Sequence, residues 1–227
     1  MSASRGLPRW VEAPIAAAGL VAASPLIAIG GLAMRATSHG PMFFRQQRVG
    51  RDGRPFTMVK LRSMSIASSG PAVTAAGDAR ITRVGRALRK LKIDELPELW
   101  HVATGEMRLV GPRPEVPALV DMTDPLWVET LQGAPGITDP MTLKLRDEEG
   151  LLRSAGSDCE RFYRTALQPF KLRGYVAYHR ERSWQSDVRV LLQTLAAVLR
   201  IPGSTVEAAD VLREISGNSY ASSKSVS

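Results

Sequence analysis

The sequence predicts a mainly helical α+β fold, and three observations carry that expectation. Residues 13–34 form an uncharged, largely apolar run. The turn signal Gly50-Arg51-Asp52-Gly53 separates two short β-prone stretches, around Phe43-Phe44 and Phe56-Thr57-Met58-Val59. Further on, Ile81, Val84, Leu88 and Leu91 recur at helical spacing between arginines. At 227 residues the chain has room for one domain and an appendage. Its formal charge of +8 points to anionic partners: nucleic acid, acidic lipid or phosphorylated substrates. Aromatic residues make up only 6%, which argues against base-stacking platforms. The single cysteine, Cys159, excludes an intramolecular disulfide and fits a reducing compartment. With no histidine near it in sequence, it reads as an ordinary thiol.

A helix over residues 13–34 is long enough, at about 1.5 Å per residue, to cross a bilayer core of roughly 30 Å. A signal peptide competes, but its apolar region is usually shorter and ends at a small-residue cleavage site. Ser24-Pro25 lies near the centre. Pro25 leaves the carbonyl of Val21 without its helical donor, and the Ser24 hydroxyl is placed to bond back to a carbonyl about one turn earlier. A bend there would give two arms of about 16 Å each, reaching only mid-bilayer. Arg5 and Arg9 before the segment and Arg35 after it favour both ends on the cytoplasmic side. From the residues alone, re-entrant and spanning helices both stay open.

Residues 40–64 read as a β-hairpin with Pro55 at a strand edge. It leads into Lys60-Leu61-Arg62-Ser63, whose two cations share one side of an extended strand. Phosphate binding and protection of a sheet edge are the two uses of such a pair. Residues 65–79 are small and polar, with Gly70, Pro71 and Gly77, and read as a mobile loop. Residues 82–92 read as a basic amphipathic helix suited to an anionic membrane surface. Gly85 costs that helix about 1 kcal/mol against alanine, so packing must hold it in place.

Adjacent carboxylates, Asp94 and Glu95, follow the basic run of Arg80, Arg83, Arg86, Arg89, Lys90 and Lys92, just before Pro97. A helix starting near Asp94 would set two carboxylates among cations, a setting for a hard metal ion together with a phosphate. A plain N-cap beside a solvated basic face is the alternative. Pro112-Arg113-Pro114 fixes the backbone around one guanidinium, either as an anion clamp or as a rigid turn. Val188, Leu191, Leu192, Leu195, Val198 and Leu199 mark a C-terminal amphipathic helix for core packing, with interfacial docking near Trp184 as the alternative. From Ser216 onward the composition reads as disordered.

Several motifs resemble one family when taken in order. They are GPMFFRQQRVGRDGRPF, KLRSM, the basic helix into DELPELW, GEMRLVGPRPE, and PGITDP with Arg146-Asp147-Glu148-Glu149. The segment from Phe162-Tyr163 through Ser183-Trp184-Gln185-Ser186-Asp187 extends the likeness. Together they resemble the monotopic bacterial phosphoglycosyl transferases, also called bacterial sugar transferases, from Ser24 to about Leu199. The resemblance implies a re-entrant helix-break-helix over residues 1–39, broken at Ser24-Pro25. A cytoplasmic catalytic domain with membrane-surface helices would cover residues 40–200, and a tail residues 201–227.

It further implies an enzyme at the cytoplasmic face of the bacterial inner membrane. Such an enzyme moves a phosphosugar from a UDP-sugar to polyprenyl (undecaprenyl) phosphate and releases UMP. The product starts a membrane-linked glycan such as exopolysaccharide, capsule or O-antigen. By match to the motif, Asp94 is the nucleophile and Glu95 its partner, both toward Mg²⁺, while Lys60, Arg62, Arg89 and Arg113 lie near the phosphates. Gly136-Ile137-Thr138 and Arg146 are assigned to the nucleotide or sugar end, with a turn and a surface arginine as the alternative. Membrane phospholipids are implied partners and nucleic acid is not; the oligomeric state stays open, a dimer included. Glu106 stands where aspartate is usual, Lys-Leu-Arg replaces Lys-Phe-Arg, and the loop after Met64 is bare. The chain resembles the family's minimal form. A membrane-anchored basic module binding acidic lipid or nucleic acid would leave the acidic pair unexplained. A Mg²⁺-dependent lipid phosphohydrolase would differ in using water as acceptor.

Overall fold

A computed structural model describes residues 6–66, 74, 76–199 and 215. Most of the expected loop at 65–79, and the tail beyond Leu199 apart from Ile215, lie outside the described residues. The first element, α1 (Arg9–Thr37), is a single helix of 29 residues that runs through Pro14 and Pro25. No non-helical residue separates two arms at Ser24-Pro25. The expected local repair is present: Ser24 Oγ donates to the Val21 carbonyl at 2.7 Å, the acceptor that Pro25 deprives of its donor. Among the described residues, α1 is the one helix long and apolar enough to cross a membrane. Ala16, Ala23, Ile27 and Met34 are buried against the protein, while Trp10, Ile15, Val21, Leu26, Ile29 and Leu32 stand exposed. An uncovered apolar face of that extent marks a contact with membrane or protein.

Both ends of α1 are tied to the same domain. At the N-terminal end the Leu7 amide donates to Asp187 Oδ2 at 2.8 Å, and Arg9 donates to the carbonyls of Val102 (2.7 Å) and Met107 (3.2 Å). Glu12, wholly inaccessible to solvent, pairs with Arg108 and accepts from the Leu109 amide at 3.1 Å. Arg108 also donates to the Leu7 carbonyl. Asp187 is held in turn by Arg182 and by the Tyr178 hydroxyl, each at 2.8 Å. At the C-terminal end Arg62 donates to Ser38 Oγ and the Ser38 carbonyl, both at 2.8 Å, and to the Pro41 carbonyl at 2.7 Å. In a Cys159→Ser background, single cysteines at Ser4 and His39 should both resist an impermeant thiol reagent added to intact cells, and both react after lysis. Labelling of position 4 alone would establish a spanning helix.

The hairpin forms as the turn signal requires. Strands β1 (Phe43–Val49) and β2 (Pro55–Leu61) pair antiparallel from Phe43↔Leu61 to Val49↔Pro55. The connecting turn places Asp52 and Gly53 in the left-handed region, at φ 55° and 74°. Thr82 caps α2 (Arg83–Lys90), its Oγ1 accepting from the Gly85 amide at 2.8 Å. A Cβ on Gly85 would stand 1.8 Å from the Ser63 carbonyl oxygen, so α2 is pressed onto the chain leaving β2. That contact is the packing the glycine demanded.

After α3 (Leu99–Thr104) comes a pair that the sequence reading did not anticipate. The short strands β3 (Arg108–Val110) and β4 (Gly136–Thr138) run parallel. Between them lies α4 (Pro125–Thr130); α5 (Pro140–Lys144), α6 (Glu148–Ser154), α7 (Cys159–Phe162) and α8 (Gln168–Glu181) follow. Trp127, Leu131, Leu152, Leu167, Phe170 and Leu172 form the main core between α4, α6 and α8. In α9 (Trp184–Val198) the stripe expected in the core faces outward. Val188, Leu192, Leu195, Val198 and Leu199 are exposed, and only Leu191 of that set packs partly against the core. The inward side is already occupied by Asp187, Val190 and Ala197, with Thr194 Oγ1 bonded to Thr138 Oγ1 at 2.7 Å.

Candidate active site

The acidic pair lies on a 3-10 turn, Ile93–Glu98, that runs directly into α3. Lys92 closes α2 in the left-handed conformation at φ 56° and redirects the chain. Asp94 thus sits inside the turn rather than capping a helix, which removes the plain-cap alternative. A 3-10 turn eclipses residues i and i+3, so Glu95 and Glu98 present their carboxylates together toward β2.

Lys60 at the end of β2 receives both. Its Nζ lies 3.2 Å from Glu95 Oε1 and 3.0 Å from Glu98 Oε1. Arg113, held between two prolines, donates Nη2 to the same Glu95 oxygen at 2.5 Å, and Lys92 Nζ stands 3.7 Å from it. Burial alone would raise the Glu95 pKa, but Arg113, Lys60 and Lys92 outweigh it and hold this carboxyl well below the usual range. Glu95 in return holds the Arg113 guanidinium well above its ordinary value.

Asp94, one residue away, has the opposite balance. Burial first and the Glu95 charge second push its pKa upward, while Lys60, Lys92 and Arg89 pull it back. It is 5% exposed, and its Oδ1 is buried without a hydrogen-bond partner. Two adjacent carboxyls whose surroundings drive their pKa values apart are suited to different chemical roles. Glu95 is the ionised hub of a cation cluster; Asp94 is an acceptor whose valence nothing in the protein fills.

A hard divalent cation fits this donor set. Mg²⁺ is commonly held by one or two carboxylates plus substrate phosphate oxygens rather than by a full protein cage. The orphaned Asp94 oxygen offers such a ligand. No cluster of three or more His, Cys, Asp or Glu that could hold a metal ion occurs among the described residues.

The remaining candidates divide. Lys60, Glu95 and Arg113 are assembled beside Asp94. Arg89 acts on Asp94 through its charge, but its guanidinium is paired with Glu149 on α6. Arg62 does not face the phosphate side expected of it: it is buried, and the chain after α1 takes its Nε and both terminal nitrogens. The cause is where β2 ends. Arg62 lies just past the last strand residue, so strict alternation with Lys60 no longer fixes its direction. Arg146 is exposed in the turn between α5 and α6 and makes no hydrogen bond or ion pair with Asp94 or Glu95. Gly136, Ile137 and Thr138 form β4 rather than a turn, and Gly111 backbone lies too close to Gly136 for any side chain there. Sequence reasoning missed Glu98 as a ligand of Lys60 and counted Lys92 only as background charge. The spacing of three between Glu95 and Glu98 was the available signal.

The bacterial sugar transferase family matches residues 3–201. A UDP-glucose:undecaprenyl-phosphate glucose-1-phosphate transferase of Caulobacter vibrioides is 45% identical over 131 residues, 55% of this chain and 49% of the relative. A putative undecaprenyl-phosphate N-acetylgalactosaminyl 1-phosphate transferase of Bacillus subtilis is 39% identical over 117 residues, 51% of this chain and 65% of the relative. A UDP-glucose:undecaprenyl-phosphate glucose-1-phosphate transferase of Escherichia coli is 41% identical over 117 residues, 51% of this chain and 25% of the relative. The aligned stretches thus span a quarter to two thirds of these relatives. On the extent of the family match, the chain belongs to the bacterial sugar transferases.

Proposed function

We propose that this protein transfers a phosphosugar from a UDP-sugar to polyprenyl phosphate through a covalent bond to Asp94. The observation that carries the reading is Asp94 itself, a buried carboxylate with an unfilled oxygen, beside a carboxylate whose Oε1 is surrounded by cations. The names of the three relatives share a sugar 1-phosphate and undecaprenyl phosphate, and they differ in the sugar. That common chemistry is what we carry over.

In the first step an Asp94 oxygen attacks the sugar-bearing phosphorus. A new carboxylate–phosphorus bond forms, the bond to the bridging oxygen breaks, and UMP leaves with the electron pair. In the second step a phosphate oxygen of the lipid attacks the same phosphorus. Asp94 departs as carboxylate, leaving a polyprenyl diphosphate sugar. Lys60, Lys92 and Arg113 offset the repulsion between carboxylate and diphosphate, and Glu95 holds these cations in place. Mg²⁺, held through Asp94 and Glu95, would neutralise phosphate oxygens and orient the leaving group.

The lipid acceptor accounts for α1. We read it as re-entrant at the cytoplasmic face of the inner membrane, on the strength of its two ends being tethered to the same domain. A panel of UDP-sugars, assayed for UMP release with Mg²⁺ and polyprenyl phosphate, tests the reaction and names the sugar. With donor alone, the enzyme should release up to one UMP per site and gain the mass of a phosphosugar on the peptide carrying Asp94. Addition of acceptor should remove that mass. If UMP and adduct appear only when acceptor is present, transfer is direct and Asp94 is a base or ligand instead. Continued release into water would mark a phosphohydrolase.

A further inference from the structure

His101 has no part in the chemistry above, yet it is one of the most constrained side chains near it. It lies on α3 and is 2% exposed. Its Nε2 accepts a hydrogen bond from the Val59 amide at 3.1 Å, and its Nδ1 lies 2.7 Å from Glu106 Oε2. The ring also meets the edge of Phe56, with centroids 5.6 Å apart and planes at 71°.

The two hydrogen bonds assign the roles of the ring nitrogens. A backbone amide can only donate, so Nε2 must carry a lone pair. A carboxylate can only accept, so Nδ1 must carry the proton. The same pair of contacts assigns the Nδ1–H tautomer, with Nε2 as the acceptor.

The bond to Val59 lands one residue before Lys60. Among the described residues β2 pairs with β1 along one edge, so amides on its other edge have no ladder partners there. His101 takes up the Val59 amide on that edge. Glu95, Glu98 and His101 follow one another at intervals of three and all engage β2: the first two at Lys60 Nζ, the third at the Val59 backbone. Lys60 is thus gripped at its ammonium, and β2 at the amide of the residue before it, by one continuous stretch of chain.

We propose that His101 is a positioning residue for Lys60. Held as the neutral Nδ1–H tautomer by Glu106, it fixes β2 against the acidic turn, so that the ammonium is delivered beside Asp94. The proposal rests on the reading of Lys60 as a cation that faces the diphosphate.

Two measurements test it. In ¹⁵N-histidine-labelled protein, which has three histidines to resolve, His101 should be neutral with Nε2 unprotonated. This experiment needs no turnover, and an Nε2–H signal would overturn the proposal. Kinetics supply the second test. His101→Phe keeps a ring against Phe56 but removes the acceptor, and should lower kcat by about 10- to 100-fold with KM for the UDP-sugar changed by less than about threefold. His101→Gln places an amide oxygen near the Nε2 position and should recover most of that loss. In a Lys60→Met background, itself strongly impaired, His101→Phe should cost less than about twofold more.

If the Phe substitution costs its full factor without Lys60, or if Gln rescues nothing, His101 does not act through Lys60. Should the Phe variant fail to fold, the Gln variant and the tautomer still decide. A wild-type enzyme that releases UMP from no UDP-sugar would sink the transferase reading instead, and leaves the tautomer result to stand by itself.

Discussion

Asp94→Asn is expected to reduce turnover below a few per cent of wild type while raising the melting temperature at neutral pH. The loss follows because an amide offers no anion to attack phosphorus. The gain in stability follows from burial. The Asp94 pKa in the folded protein lies above its unfolded value, so the ionised carboxylate costs stability wherever pH exceeds the folded pKa. That cost fades as pH falls through the folded pKa toward the unfolded value of about 4. The advantage of asparagine should therefore be largest near neutrality and vanish toward about pH 4. Thermal melts of both proteins across that window test the sign. A variant that melts lower than wild type at neutral pH would mean the surroundings attract the Asp94 charge on balance. Activity above a few per cent, with deamidation excluded by mass spectrometry, would remove Asp94 as nucleophile.

Arg108→Met is expected to give the largest loss of stability. It leaves the wholly buried Glu12 carboxylate without its cation and the Leu7 carbonyl without its donor. Removing one partner of a buried ion pair typically costs about 3–5 kcal/mol. For a domain near this size, that corresponds to a fall in melting temperature of about 6–20 °C. Glu12→Gln in the same chain removes the stranded charge and should recover most of the loss, so the two substitutions should be strongly non-additive. A single Arg108→Met variant that melts within about 2 °C of wild type would show that the pair contributes little.

What could be read in the sequence was what neighbouring residues decide. The hairpin around Asp52-Gly53, the helix after Thr82 and the Ser24 bond to Val21 are each set within a few residues. The acidic pair stood out because its charge contrasts with the run before it. What was missed needs partners from elsewhere in the chain. Strands β3 and β4 are three residues each, too short to show a period of two, and exist because they pair across an intervening helix. The outward stripe on α9 has the same helical period as a buried one. Which face turns inward was decided by Asp187 and Val190 meeting α1 and its flank. Arg62 and Lys60 looked equivalent by alternation, yet the end of the strand separates their fates.

The tether at the start of α1 has a consequence for how the protein is made. Leu7 and Asp187 are 180 residues apart, and Glu12 and Arg108 are 96 apart. A chain leaving the ribosome N-terminus first releases α1 long before either anchor has been synthesised. The nascent helix is at first unsupported by either partner, with the Arg108 contact available midway through translation and the Asp187 contact far later. Contacts so distant in sequence close large loops and form late. A nascent chain arrested between residues 108 and 187 would carry Asp94, Glu95 and Arg113 while its first helix still lacked the hold on Leu7. Seating the beginning of the chain is therefore among the last events of its folding.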